Sequence, residues 1–278
     1  MVVVSDILTI SAEAHQKVLE VRDGEPEPET LALWVEVNGE ANGAYTYLME
    51  FRARSEFDDD VLVEQYAPGV EVAVEGLLRA GRLTVLAVFD KPDPLEGPYF
   101  EETLYVTPSR LPTETLERVH VATARACAAI GLQEGPVHAE LRIDGDRVAV
   151  VEVAARSIGG LCARTLQFGA GIALEEVVLR HALGMSLDGL TRARGASGVM
   201  MLPIPRAGVL RDVRGQDAAR AVTGVTGLEI TIPRGRRLVP VPEGDRYLGF
   251  LFARGESPDD VETALRTAHA ALVVDVEP

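Results

Sequence analysis

Two short stretches of the sequence place charged residues and glycines where an apolar strand would otherwise continue. The first is HAELR, which contains Glu140, and the second is VVEVAARSIGG, which contains Glu152, Arg156 and the Gly159–Gly160 pair. Carboxylates can bind a cation, a guanidinium can bind a carboxylate or a phosphate, and glycines let a backbone approach a ligand closely. Together these residue types are typical of a site that binds charged ligands.

The two stretches are expected to pair as a β-hairpin. They flank residues 144–146, Asp-Gly-Asp, whose central glycine suits a three-residue turn. In that register Glu140 faces Val150, so Glu152 is its diagonal neighbour on the same sheet face, about 7–8 Å away between Cα atoms. Arg156 shares this face if the strand continues to it.

Two carboxylates on one sheet face repel each other, and they are costly to bury unless a cation lies between them. Mg²⁺ binds one or two carboxylates together with phosphate oxygens, so the pattern indicates a metal–nucleotide complex. An alternative stays open on spacing alone. In it, Glu140 pairs with Arg142 or Arg147 on a solvated strand edge, and Gly159–Gly160 is an ordinary turn.

The elements that must position these residues indicate an α+β fold, with an antiparallel sheet flanked by helices. Alternating apolar runs predict strands, most clearly VEVAVEGLLRA and RLTVLAVFDK, and LALWVEV with AYTYLMEF predicts a hairpin. Helical spacing marks residues 11–21, 113–130, 174–183 and 258–272. From about residue 195 a smaller α+β subdomain is predicted, and we expect domains at residues 1–192 and 193–278.

Composition restricts the class of partner. The chain has 278 residues, is 47% hydrophobic and carries a formal charge of −16, which disfavours nucleic acid and anionic membranes as partners. Its two cysteines provide no disulfide framework, and no apolar run approaches the roughly 20 residues of a membrane span. We therefore expect a soluble, cytoplasmic protein.

The motifs HAELR and VVEVAARSIGG resemble the metal-binding strand pair of the ATP-grasp superfamily, and most closely that of its carboxylate–amine ligases of the L-amino-acid ligase type. The resemblance implies that Glu140 and Glu152 bind Mg²⁺ (or Mn²⁺). It also implies that Arg156 is catalytic and, with Gly159 and Gly160, holds the substrate or the transferring phosphoryl group. One departure is Ala154, which stands where many members have a metal-coordinating Asn, so a weaker second metal site is expected.

The segment LVEQYAPGVEVAVEG is similar to the nucleotide-binding hinge of the same family. The resemblance implies that Glu64, Gln65 and Tyr66 border the adenine of ATP, and that Glu71 accepts the ribose hydroxyls. Without the resemblance, two exposed strand glutamates would explain the segment equally well.

A Pro-rich stretch, FDKPDPLEGPYFEETLYVTPSRLP, resembles the large loop over the family's active site, where Lys91, Glu101 and Glu102 would line the substrate cavity. The segment from YLGFLFAR onward resembles the small closing subdomain. The family's N-terminal domain and the first part of its grasp fold, with phosphate-binding lysines and a Gly-rich loop, have no counterpart among these motifs. The chain contains only two lysines, Lys17 and Lys91.

The resemblance implies an ATP- and Mg²⁺-dependent ligase that joins a carboxylate, such as that of an amino acid, to an amine through an acyl-phosphate and forms ADP. Its partners would be these small molecules, and a homo-oligomer or a second chain supplying the absent half is compatible with the sequence. One alternative is a nucleotide-binding or partner module without independent catalysis. Another keeps the fold and uses bicarbonate as the acid.

Overall fold

The computed structural model describes residues 12–41, 44–53, 66–94, 101–241 and 244–278. The chain forms two compact units, residues 1–66 and 67–278. In the described parts of the chain, no helix has the length and apolar character needed to cross a membrane.

The described residues of the first unit form one α-helix and one hairpin. Helix α1 is Ala12–Arg22, and strands β1 (Leu31–Ala41) and β2 (Ala44–Ala53) pair antiparallel. The helix and the hairpin confirm the sequence prediction. The strand expected at MVVV, residues 1–4, lies outside the described residues.

The second unit is built on an eight-stranded antiparallel sheet with the strand order β10-β12-β8-β5-β4-β3-β6-β7. Its strands are β3 (Val70–Arg79), β4 (Arg82–Lys91), β5 (Leu104–Thr107), β6 (Gly135–Asp144), β7 (Arg147–Ala154), β8 (Ala196–Leu202), β10 (Val225–Ile230) and β12 (Gly249–Gly255). A smaller sheet has the order β11-β9-β13 and consists of β9 (Gly208–Arg214), β11 (Arg237–Leu238) and β13 (Val273–Glu277).

Strands β3 and β4 form a tight hairpin at the centre of the large sheet. Ala80 and Gly81 connect them with φ angles of 48° and 75°, and two consecutive positive φ values match the twist of a two-residue hairpin turn. Strand β3 is buried along nearly its whole length because β4 and β6 flank it and both faces are covered. Glu71 and Glu75 of β3 are therefore interior residues, whereas Arg79 at the end of the strand is exposed.

In the described part of the second unit, four α-helices cover the sheets: α2 (Thr113–Ala129), α3 (Leu174–Ala182), α4 (Gln216–Arg220) and α5 (Pro258–Ala270). Val119 of α2 packs on Val72, Val74 and Leu141, on one face of the sheet. The opposite face carries Ala73, Phe89 and Tyr105, which pack against residues 158–177. The candidate site lies on this second face.

Strands from both sides of the expected domain boundary pair within one sheet, since β8 pairs with β5 and β12 with β8. The boundary at residues 192 and 193 therefore remains a prediction. Strand β5 was not predicted, because its four residues lie within the Pro-rich segment that resembles a loop.

Candidate functional site

The hairpin of β6 and β7 brings two carboxylates face to face. Glu140 is the direct cross-strand partner of Glu152, so the diagonal placement predicted from the sequence is wrong. The connection between Asp144 and Arg147 has only two residues, and a β-bulge between Glu140 and Leu141 then leaves one residue of β7 unpaired. The bulge sets Glu152 opposite Glu140, where Cβ atoms are about 4.5–5.5 Å apart.

A buried lysine connects the strands at this site. The Nζ atom of Lys91, at the end of β4, lies 2.6 Å from Glu71 Oε1, 2.8 Å from Glu140 Oε1 and 2.9 Å from Glu102 Oε1. The lysine side chain is only 2% exposed. Its desolvation alone would lower the pKa of Lys91, but the neighbouring carboxylates outweigh it and raise the pKa, so the ammonium stays charged.

Glu140 is held in its ionised form. Partial burial would raise its pKa, but the hydrogen bond with His138 and the charge of Lys91 lower the pKa of Glu140 to about 2. His138 Nε2 lies 3.3 Å from Glu140 Oε1, and the imidazole is buried. A carboxylate that remains charged under all ordinary conditions is suited to bind a cation.

Glu71 is the second carboxylate bonded to Lys91, and both of its oxygens are engaged. Oε1 accepts from Lys91, and Oε2 accepts from the Arg142 guanidinium at 2.7 Å. The side chain of Glu71 is 7% exposed. Its role as acceptor of ribose hydroxyls remains a prediction, and in this arrangement it would have to share oxygens with two cations.

The other residues expected at the nucleotide are only partly within the described chain. Glu64 and Gln65 lie outside the described residues. Tyr66 is half-exposed and belongs to the first unit, whereas Glu71 belongs to the second. The adenine-binding role of residues 64–66 therefore remains a prediction.

The loop after β7 carries the predicted phosphoryl-binding group. Arg156 is 56% exposed; its Nη2 lies 3.6 Å from Glu152 Oε1, and its Nη1 donates to the Ser157 carbonyl. The strand ends at Ala154, so Arg156 does not lie on the sheet face as a continuing strand would have placed it, and the loop brings it to Glu152 instead. The two glycines differ in how much they constrain a side chain. Gly160 adopts φ 58°, and a Cβ there would lie 2.1 Å from Met201 Cε. Gly159 has open space where a Cβ would lie.

Glu75 was missed by the sequence analysis, although it lies on the same face of β3 as Glu71 and four residues further on. Its side chain is fully buried, and Oε2 accepts the Ile158 N–H at 2.9 Å. Oε1 has no hydrogen-bond partner among the described residues. Burial raises the pKa of Glu75 to about 8. Hydrogen bonds from Ile158 and Ser157 and the charge of Arg156 lower this pKa, but the effect of burial is larger.

Acidic and aromatic groups form the opposite side of the site. Tyr105 is buried and its hydroxyl donates to Glu102 Oε1 at 2.5 Å. Burial and the charges of Glu102 and Glu140 raise the pKa of Tyr105, so it acts as a hydrogen-bond donor. Burial and the charges of Glu102 and Glu101 also raise the pKa of Tyr247 to about 12, which places this tyrosine within electrostatic range of the same acids.

The residues present fit a magnesium ion that also binds phosphate. Among the described residues, no group of three or more His, Cys, Asp and Glu side chains could hold a metal by itself. Glu140 and Glu152 supply two carboxylates, which suits Mg²⁺ completed by phosphate oxygens and water. Ala154 lies opposite His138 in the hairpin and offers no side-chain oxygen, as expected from the sequence.

Two family models match most of the second unit and the last part of the first. Residues 42–165 match the family model described as the ATP-grasp domain, and residues 200–277 match that of the L-amino acid ligase C-terminal domain 2. The chain is 27% identical to human carnosine synthase 1 over 219 residues, 77% of this chain and 26% of that protein. It is 30% identical to alanine–anticapsin ligase of Bacillus subtilis over 114 residues, 41% of this chain and 23% of the ligase.

Solved structures agree on the fold. An L-amino acid ligase from Bacillus licheniformis superposes with a TM-score of 0.69 at 29% identity, covering 77% of this chain and 53% of that chain. A biotin carboxylase domain from Hydrogenobacter thermophilus, crystallised with MgADP and bicarbonate, has a TM-score of 0.54 at 15% identity, covers 74% of this chain and 46% of that chain, and supports the fold alone. The chain thus spans about half or less of the length of these relatives.

Proposed function

Since the chain belongs to the ATP-grasp carboxylate–amine ligases, which use ATP and Mg²⁺, we propose that it takes part in joining a carboxylate, such as that of an amino acid, to an amine. In the proposed reaction the carboxylate attacks the γ-phosphoryl group of ATP and releases ADP. The amine then displaces phosphate from the acyl-phosphate. The observation that carries the proposal is the direct pairing of Glu140 with Glu152 beside Arg156.

Glu140 and Glu152 would hold the metal. Magnesium bound there would offset the negative charge of the phosphates. The five charged side chains Lys91, Arg142, Glu71, Glu102 and Glu140 sum to −1, so this part of the site has an unbalanced negative charge that favours a cation. Lys91 also bonds Glu71 and Glu102, so its ammonium is held in place by three carboxylates. It would therefore fix the orientation of Glu140 rather than compete with the magnesium ion for it.

Arg156 is the proposed catalytic residue, because its exposed guanidinium is free to turn from Glu152 toward transferring oxygens. Stabilising charge that develops during phosphoryl and acyl transfer is the main contribution a protein can make to such steps. Glu75 keeps this loop in place through Ile158. The proposed substrate contacts of Gly159 and Gly160 would use backbone N–H groups. The three ammonium N–H groups of Lys91 bond Glu71, Glu102 and Glu140, so its proposed action on the substrate would be through its charge.

The acidic residues near Tyr247 support an amino acid substrate. Glu101 and Glu102 lie within electrostatic range of Tyr247, and burial raises the pKa of Glu101. Grouped carboxylates favour an ammonium group over an anion. An amino acid as the carboxylate substrate, and the cytoplasmic location, remain predictions.

Calorimetric titration of the chain with Mg·ATP, combined with phosphate release on a panel of amino acids and bicarbonate, tests the proposal. We expect saturable Mg·ATP binding and phosphate release that needs both an acid and an amine. Loss of a residue that only supports a metal ligand weakens metal binding by roughly 10-fold. Glu152 is a proposed ligand itself, so Glu152→Ala should weaken Mg·ATP binding by more than that. Glu176→Ala, on exposed α3, is the matched control.

A nucleotide-binding or partner module is the second candidate, and lysine placement favours it. Lys91 is committed to three carboxylates, and Lys17 is exposed and pairs with Glu20. Lys91 therefore has no ammonium N–H group left to donate to an ATP phosphate. Mg·ATP binding without phosphate release would support this module, whereas absence of binding, or unchanged binding in Glu152→Ala, would contradict the site assignment itself.

A further inference from the structure

A cleft outside the ligase site lies beside edge strand β10 and the 3₁₀ turn Cys162–Thr165. Its volume is about 330 Å³. Three arginines line it: Arg164, Arg220 and Arg254. An adjoining small cavity shares Thr165 and Arg254 with the cleft and is lined by Arg192 and Arg194. We call these two adjoining cavities the arginine cleft.

The charge of the arginine cleft is opposite to that of the chain. Five arginines line it, and Glu229 is the one carboxylate among the lining residues of the two cavities. Glu229 accepts two hydrogen bonds from Arg164, at 2.8 and 3.0 Å. The formal charge of the lining is therefore +4 (five arginines less one glutamate) in a chain whose net charge is −16.

Four of these arginines form no ion pair with any described residue: Arg192, Arg194, Arg220 and Arg254. Other arginines of the second unit do find carboxylates within 4 Å, namely Arg110, Arg118, Arg142, Arg156, Arg180, Arg211, Arg234, Arg246 and Arg266. Arg254 also borders a depression with Glu256, Asp259 and Asp260, yet it forms no ion pair with them. Eight arginines elsewhere in the second unit likewise form no ion pair with a described residue: Arg79, Arg82, Arg125, Arg147, Arg206, Arg214, Arg236 and Arg237. The arginine cleft differs in that four such arginines line it beside a single carboxylate.

Backbone carbonyls hold three of the guanidiniums in place. Arg220 donates to Leu228 O at 2.7 Å, Arg254 to Thr165 O at 3.3 Å and Arg192 to Gly195 O at 3.1 Å. A guanidinium has five N–H donors, so each retains donors that can bind a further acceptor. Donors fixed before a ligand arrives lose less conformational entropy on binding.

Two further features of the cleft favour a negatively charged ligand. The guanidinium of Arg164 lies over the Phe252 ring at 4.8 Å, which fixes its plane against the cleft wall. Burial without a counter-ion lowers the pKa of Arg192, so an anion near it would recover the lost solvation.

We propose that the arginine cleft binds a small ligand rich in anionic oxygens, either a phosphate ester or a polycarboxylate. Planar guanidiniums in fixed positions bind such groups through paired N–H···O contacts. The volume lies at the lower end of the range for small-molecule pockets. The strongly negative chain repels a long polyanion, so a small ligand fits better than nucleic acid. This site is independent of the proposed ligase activity.

Calorimetry with pyrophosphate, in the presence of EDTA so that metal binding plays no part, tests the proposal. We expect one ligand per chain. Arg220→Gln and Arg254→Gln should each weaken binding by about tenfold or more, because each removes charged hydrogen-bond donors. The control Arg234→Gln changes an exposed arginine that pairs with Asp212 outside the cleft and should leave binding unchanged.

Further measurements show whether the anion binds in the cleft or in the ligase site, and whether the ligand is a phosphate or a polycarboxylate. Binding should survive Arg156→Gln, and its loss there would assign the anion to the ligase site and overturn the proposal. Absence of binding of both pyrophosphate and citrate, or equal affinity in the wild type and both cleft variants, would also overturn it. Stronger binding of pyrophosphate identifies a phosphate ligand, and stronger binding of citrate a polycarboxylate. Thermal unfolding verifies that each variant folds. If Arg220→Gln or Arg254→Gln does not fold, Arg192→Gln is tested in its place.

Discussion

At the scale of single residues, Glu75 couples the central strand β3 to the loop that carries Arg156. One carboxylate oxygen bonds the Ile158 N–H, and the other has no hydrogen-bond partner among the described residues. The fold thereby favours the neutral acid. A protonated Glu75 still accepts from Ile158 through its carbonyl oxygen, so the loop stays attached without the cost of a buried charge.

Stability should therefore depend on pH through Glu75. The pKa of Glu75 rises from 4.5 to about 8 on folding, so its contribution is fully present below pH 4.5 and is lost as pH rises to about 8. The loss is on the order of 5 kcal/mol. Glu75→Gln, which cannot ionise, should reduce the fall in the free energy of unfolding over this interval, measured with urea. The exposed Glu176→Gln is the control, and a fall equal to that of the wild type in Glu75→Gln would contradict the prediction.

Lys91 provides a second test at this scale. In Lys91→Met, Glu71, Glu102 and Glu140 lose the ammonium that they share, and uncompensated buried charge is strongly destabilising. We expect the free energy of unfolding to fall by about 3–5 kcal/mol. The matched control is Lys17→Met, which removes the other lysine of the chain from an exposed helix position and should change stability little. Equal urea midpoints for the two variants would refute the prediction.

At the scale of elements, the glycine pair after β7 has two different functions. Gly160 needs a left-handed backbone and lies against Met201, whereas Gly159 meets neither requirement. Gly160→Ala should lose about 1–2 kcal/mol of stability from its backbone conformation alone. Gly159→Ala should change stability by less than about 0.5 kcal/mol. Thermal or urea unfolding measures both, and equal effects would show that the turn tolerates either substitution.

Local patterns in the sequence predicted the central hairpin, the β6–β7 pair and helices α1, α2, α3 and α5. They also predicted that Glu140 and Glu152 share one face, whereas Arg156 lies in the loop beyond the end of β7 and not on the strand, as its predicted position required. The register was wrong because a β-bulge depends on cross-strand pairing that a local pattern does not encode. The proximity of Glu71 to Glu140 could not be predicted from local patterns either, because it depends on the pairing of β3 with β6, which are separated in the sequence by α2. A resemblance between motifs supplied the candidate roles that spacing could not.

At the scale of the whole molecule, the distribution of charge separates two regions of the second unit. The candidate ligase site groups acids around one lysine, and the arginine cleft groups cations around one glutamate. Each region is opposite in charge to the ligand proposed for it. The chain also spans only 53% of the Bacillus licheniformis ligase it resembles in structure, so activity of the isolated chain is a separate question from ligand binding.

The position of Lys91 has a consequence for how the protein is assembled. An ammonium built into the acidic cluster acts as a permanent internal counter-ion, so the strands can come together before any metal arrives. Folding and metal loading are then separate events, unlike in domains whose folding needs the ion. Adding EDTA should leave the melting temperature nearly unchanged while abolishing Mg·ATP binding. A large drop in melting temperature would instead mean that the metal is part of the scaffold.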